Sequence, residues 1–134
     1  MTLVSTESLP LTTADSVVVV RQAVRQRAVE LGFSLVDQTK IVTAASELAR
    51  NAIQHGGGGR ATIEAVTDGL RRGLRLTFED DGPGIGDIQT AMRDGFSTAG
   101  GLGLGLSGAK RLSNEFSIAS TPGRGTRVVV TRWK

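Results

Sequence analysis

At 134 residues the chain is long enough for one compact domain with one core and short for two. Hydrophobic residues make up 39% and charged residues 22%, which excludes a disordered chain, and the few aromatics (4%) make the core aliphatic. A net charge of +3 is a mild help toward anionic ligands, but no dense Lys/Arg stripe with interleaved aromatics points to nucleic acid. The absence of cysteine rules out disulfides and thiolate metal sites and fits a reducing cytosol. No segment approaches the roughly 20 apolar residues needed to cross a bilayer, and MTLVSTESLP lacks the basic start and apolar run of a signal peptide. A cytoplasmic protein without membrane contact is expected.

In chain order, Thr2 to Leu9 alternates weakly and reads as an opening edge strand. Thr12 and Asp15 have capping-box spacing, and Val17, Val20, Val24, Ala28 and Leu31 then recur at helical intervals, with Gly32 placed to stop the helix. A second helix is expected from the Ser34 and Asp37 pair. Its apolar stripe is Ile41, Ala44, Ala45, Leu48 and Ala52, and it ends near the glycines at 56–59. Strands follow at Arg60 to Val66 and Leu74 to Asp80, then a short helix from Ile88 to Met92. A helix from Leu104 to Leu112 and strands at Phe116 to Ser120 and Thr126 to Trp133 complete the chain. This order implies an α+β fold: a two-layer sandwich with helices on one face of a mostly antiparallel, mixed sheet, in a single domain spanning 1–134.

The segment GGLGLGLSGAKRL contains G-x-G-x-x-G at Gly103, Gly105 and Gly108. A dinucleotide fold would need a strand just before it and an acid about 20 residues later, and neither is present. Lys110 does not fit a Walker A loop, so taken alone the segment reads as a flexible loop before a helix. Three other clusters alter that balance. Glu47 and Asn51, four residues apart, share a helix face with Arg50 and Gln54 beside them, although a solvated Glu47–Arg50 ion pair explains the same spacing. Strand alternation carries the face of Leu74, Leu76 and Phe78 onto Asp80, a carboxylate at the rim of a core, followed by Gly82, Pro83 and Gly84; a plain strand-ending turn is the simpler alternative. Finally, Gly123, Gly125 and Thr126 open the last strand.

E-x-x-x-N on a helix, D-x-G-x-G after a strand, a glycine-rich loop before a helix and G-T before a strand occur here in an order that resembles the GHKL ATPase/kinase superfamily with its Bergerat ATP-binding fold. SELARN and DGFSTAGGLGLGLSGAKRLSNEF look most like the bacterial switch-protein serine kinases of the stressosome, with anti-sigma-factor kinases next in architecture and length. The resemblance implies ATP and Mg²⁺ as cofactors. Asp80 would then accept from the adenine amino group, with Gly82, Gly84 and Ile85 near the base and Thr126 supporting it. Asn51 would bind Mg²⁺, and Glu47 would be the general base or orient the attacking hydroxyl. Ser97 and Thr98 would belong to an ATP lid, and Gly100, Gly101, Leu102, Gly103, Leu104 and Gly105 would form the phosphate side. Arg50 and Lys110 are weaker candidates. The implied activity is phosphorylation of a STAS-domain partner, followed by activation of a PP2C-type phosphatase or another effector. The alternatives are an anti-sigma factor that phosphorylates its antagonist, or a non-catalytic ATP-binding switch.

Overall fold

The computed structural model describes residues 1–85 and 105–134. Strand β1 (Thr2–Leu11) leads into helices α1 (Ala14–Glu30) and α2 (Leu35–Gln54), then the hairpin β2 (Gly59–Asp68) and β3 (Arg71–Asp80). Helix α3 (Gly105–Arg111) precedes a second hairpin, β4 (Glu115–Thr121) and β5 (Gly125–Trp133). The strands form one sheet in the order β1-β2-β3-β5-β4, and every pairing is antiparallel. The short helix expected at 88–92 and the start expected at Leu104 lie outside the described residues.

Local chemistry sets the helix ends. Thr13, in extended backbone, caps α1, and its N–H donates to Ser16 Oγ at 3.3 Å. The cap therefore falls one residue after the Thr12 and Asp15 pair read from spacing. At the other end Gly32 takes φ +83°, its N–H donates to the Val29 carbonyl, and the Phe33 N–H reaches back to Ala28. This Schellman stop buries Phe33 and Ala28 together and turns the chain into the next cap, where the Asp37 N–H donates to Ser34 Oγ at 3.1 Å.

The apolar stripes then find each other. Val17, Val20, Val24 and Ala28 of α1 meet Ile41, Ala45, Leu48 and Ala52 of α2 in one core with the inner face of the sheet. On that face Leu74, Leu76 and Phe78 of β3 stand opposite Ala65, Ile63 and Ala61 of β2, and Phe78 and Leu76 stand opposite Val128 and Val130 of β5. The alanines of α2 let it lie close to both α1 and the strands. The strands run longer than their apolar stretches suggested because outward-facing polar residues extend the ladders. Arg75 pairs with Glu64 at 2.9 Å, and Arg71 with Asp68 at 2.8 Å beside the two-residue turn at Gly69 and Leu70.

The inner face of β5 ends on a charge. Arg132 lies opposite Leu74 and donates from Nη2 to Asp37 Oδ1 at 2.6 Å and from Nη1 to the Leu112 carbonyl at 3.0 Å. One guanidinium thus ties the first turn of α2 and the end of α3 to the sheet. The hydrogen bond from Arg132 holds the Asp37 carboxyl below the usual aspartate range. A depressed carboxylate stabilises the fold above its unfolded pKa, and that contribution is lost as pH falls through the folded value. Asp37→Asn is expected to cost about 2 kcal/mol near neutrality, because the Arg132 guanidinium loses its charged acceptor. Urea denaturation checks this: the difference from wild type should shrink below about pH 4, and a difference independent of pH would contradict it.

Candidate functional site

The inner face of the sheet changes character at one end. Gly59, Asp80, Thr126 and Ser120 are successive cross-strand partners on β2, β3, β5 and β4, so the apolar rows give way to a row with a carboxylate and two hydroxyls. Asp80 continues the parity of Leu76 and Phe78, as its spacing required, and Asp81 turns out to solvent.

Each polar group in this row is held. The Gly82 N–H donates to Asp80 Oδ1 at 3.0 Å, fixing the carboxyl by its own loop. Ser120 Oγ accepts from the Ile85 N–H at 2.7 Å, donates to the Gly125 carbonyl at 3.1 Å and lies 2.8 Å from Thr126 Oγ1. A serine hydroxyl has one proton, and here it goes to the carbonyl. The Thr126 hydroxyl must therefore donate to Ser120, which leaves its free lone pairs to accept from a ligand or water.

Helix α2 delivers its C-terminal end to the same place. His55 caps the helix, and Gly56 lies so close to Asp80 that a Cβ there would overlap the carboxyl; a Cβ on Gly82 would meet the Gly56 backbone. These two glycines set how closely the helix end approaches the strand end. Counting back from Gly56, Asn51 lies about 7.5 Å along the helix axis and Glu47 about 6 Å further. Asn51 is half-buried, and the Glu47 side chain is only 13% exposed, with Oε1 accepting from Arg50 Nη1 at 3.0 Å. The i, i+3 ion pair anticipated from spacing is formed, and it orients the carboxylate on a mostly buried side chain.

The residues singled out in the sequence thus divide into three groups. Asp80, Gly82 and Thr126 come together, with Ile85 tied to them through Ser120. Gly84, at φ +77°, lies against the Thr121 carbonyl, so the loop after β3 packs on the end of β4. Glu47 and Asn51 lie further back along α2, whose end meets Asp80 at Gly56. Gly105 begins α3, while Ser97, Thr98, Gly100, Gly101, Leu102, Gly103 and Leu104 lie outside the described residues. A shallow depression at this end of the sheet is lined by Asp80, Ser120, Thr126 and Arg124, and also by Glu79 and Arg127 from the outer face. It touches neither Glu47 nor Asn51, so it covers only the strand side of the site.

Sequence reasoning missed Ser120 and Gly56. Strand parity with Phe116 and Ile118 was the available signal for Ser120, but its meaning depended on pairing with Thr126. Gly56 was hidden in a run of four glycines that served only to end a helix.

A helix bearing Glu47 and Asn51 thus lies over an antiparallel sheet whose end carries Asp80, held by its own loop, and Thr126. The chain belongs to the family of histidine kinase-, DNA gyrase B- and HSP90-like ATPases, which matches residues 36–134. Within that family it is similar to the serine/threonine-protein kinase RsbT of Bacillus subtilis (strain 168), at 52% identity over 117 residues, covering 87% of this chain and 88% of that protein. It is 33% identical over 119 residues to the anti-sigma F factor of Thermoanaerobacter sp. (strain X514), covering 84% and 82%. Two solved structures share the fold. One is the SiaB–SiaC complex of Pseudomonas aeruginosa, with a TM-score of 0.55 at 13% identity over 98% of this chain and 91% of that one. The other is the histidine kinase domain of the Erythrobacter litoralis EL346 blue-light activated histidine kinase, at 0.51 and 22% over 92% and 60%. Among the described residues, no helix is long and apolar enough to cross a membrane.

Proposed function

We propose that this chain is an ATP-dependent protein serine/threonine kinase that phosphorylates a STAS-domain partner and, once released, activates a PP2C-type phosphatase or another effector. The observation that carries the reading is the juxtaposition of the Asp80, Thr126 and Ser120 row with the end of the helix bearing Asn51 and Glu47, in a chain 52% identical to a serine/threonine-protein kinase.

The residues suit Mg·ATP. Asp80 is an acceptor held by Gly82, suited to the adenine amino group, and Thr126 has lone pairs free beside it. The described residues contain no cluster of three His, Asp or Glu side chains able to hold a metal alone. A single amide oxygen from Asn51 suits Mg²⁺ that arrives with the triphosphate and keeps several waters. Bound Mg·ATP supplies the phosphoryl group and neutralises its charge. The protein's work would then be positioning: Asn51 would hold the metal end, and the proposed phosphate and lid residues, Gly100 to Gly105 with Ser97 and Thr98, lie outside the described residues apart from Gly105. Glu47, oriented by Arg50, would take the proton of the acceptor hydroxyl, and the bound nucleotide would supply the phosphoryl group with ADP as the leaving group.

Incubation with Mg·ATP and a STAS-domain protein tests this. Phosphate should appear on a serine or threonine of that protein, and its absence would reject the kinase reading. The 33% identity to an anti-sigma F factor favours a second output, sequestration of a sigma subunit with phosphorylation of its antagonist. Recovery of a sigma factor rather than a phosphatase in a pull-down would select it.

A further inference from the structure

Most large side chains of this protein that could be buried are buried, but the helical layer keeps a set exposed. Val29, one residue before the end of α1, is 55% exposed, and Leu35 and Val36, the first two residues of α2, are 71% and 62% exposed. They stand where the two helices join. Val18 of α1, 48% exposed, is eleven residues before Val29, three helical turns along the same line. The Phe33 and Ala28 contact fixes this corner from beneath, so its exposed residues sit on a rigid support.

The corner is continuous with the site. Val36, Lys40, Thr43 and Glu47 follow one another at intervals of four, three and four residues, and so form one line along α2 that runs from the exposed Val36 through half-buried Lys40 and Thr43 to the mostly buried Glu47. From Val36 to Glu47 the rise is about 16 Å. An interface of standard size covers about 800 Å² on each partner, a disc about 16 Å in radius. A protein whose hydroxyl reaches Glu47 can therefore cover the corner within the same interface. The carboxylates near this line, Glu30, Asp37 and Glu47, are held in salt bridges by Arg27, Arg132 and Arg50. Arg25 donates to the neutral Gln38 at 3.5 Å, and Arg21, Arg25 and Lys40 lie outside the salt bridges of α1 and α2 among the described residues.

We infer that the α1–α2 corner formed by Val29, Leu35 and Val36, with Arg25 and Lys40 beside it, seats the phosphoacceptor protein, which presents an apolar patch ringed by carboxylates next to its acceptor hydroxyl. This rests on the kinase reading above and names the surface through which the protein substrate is recognised. The apolar contact supplies affinity, and the cations select against partners without matching carboxylates.

Val36→Glu and Lys40→Glu, in the full chain with Mg·ATP and a STAS-domain protein, test it. Both variants are expected to raise KM for the protein substrate by about tenfold or more, with kcat at saturation and the Kd for ATP unchanged. An unchanged KM overturns the inference. So does a shift from dimer to monomer on Val36→Glu in light scattering, which would assign the corner to a second copy of this chain. If the wild type transfers no phosphate, the kinase reading fails by itself. Calorimetric binding of the STAS-domain protein to wild type and Val36→Glu then still decides the surface: weaker binding by the variant supports it and equal binding overturns it.

Discussion

Asp80→Asn is expected to weaken ATP binding by about a hundredfold, because in the proposed site the new amide would present donors to the adenine amino group, itself a donor. The Asp80 carboxyl accepts from Gly82 at 3.0 Å, and in the variant the one remaining carbonyl oxygen is drawn to that N–H. The NH₂ group then faces the base. A ligand with an acceptor at the same position should gain where ATP loses, so inosine triphosphate is the informative comparison. The preference for ATP over inosine triphosphate, measured by calorimetry, should collapse or invert in the variant. General damage to the loop would lower both affinities together and leave the preference intact, which would remove Asp80 from base recognition. The fold should tolerate the change, since Asp80 is half-buried and its carboxyl forms no salt bridge among the described residues.

Why Asp80 was legible when Ser120 was not is a matter of range. Asp80 is marked by parity within its own strand, three apolar residues in alternate positions and then a carboxylate, and the strand is enough to read it. The caps of α2 and the glycine stop of α1 are likewise local, and each involves residues a few positions apart. Ser120 acquires its role only when β4 pairs with β5 and places it beside Thr126. Arg132 is a stronger case. In the sequence it is one more residue of an alternating strand, and its partner Asp37 was read as part of a cap; the bond between them spans 95 residues. Gly56 is similar, for a glycine run announces the end of a helix but not the strand residue on which that end lands. Binary pattern and capping specify the elements, whereas the contacts that hold the site are set where elements from distant parts of the chain meet.

Glu47 and Asn51 share one helix face, yet their removal should fail in different ways, and the difference separates catalysis from support. Asn51→Ala deletes the amide oxygen suited to the metal, so the Mg²⁺-dependent part of ATP affinity should fall, and phosphate transfer should drop by about a thousandfold or more. Binding of ADP without Mg²⁺, which the proposed site assigns to the Asp80 end, should change little. Glu47→Gln keeps the size of the side chain and an oxygen for Arg50 Nη1, now at 3.0 Å, but cannot take a proton. Its ATP affinity should stay near wild type while kcat falls by about a hundred- to a thousandfold, the range in which a positioned base contributes. Arg50→Ala completes the set. It leaves the carboxylate in place but frees its orientation, and an intermediate loss in kcat with no change in ATP affinity is expected. If Glu47→Gln instead weakened ATP binding as much as transfer, the carboxylate would be a support of the nucleotide site, and the base would have to be sought elsewhere. If it changed neither, the Glu47–Arg50 pair would be an ordinary helix-face ion pair, worth a few tenths of a kcal/mol. Quench-flow measurement of a single turnover, which isolates transfer from product release, distinguishes the three results.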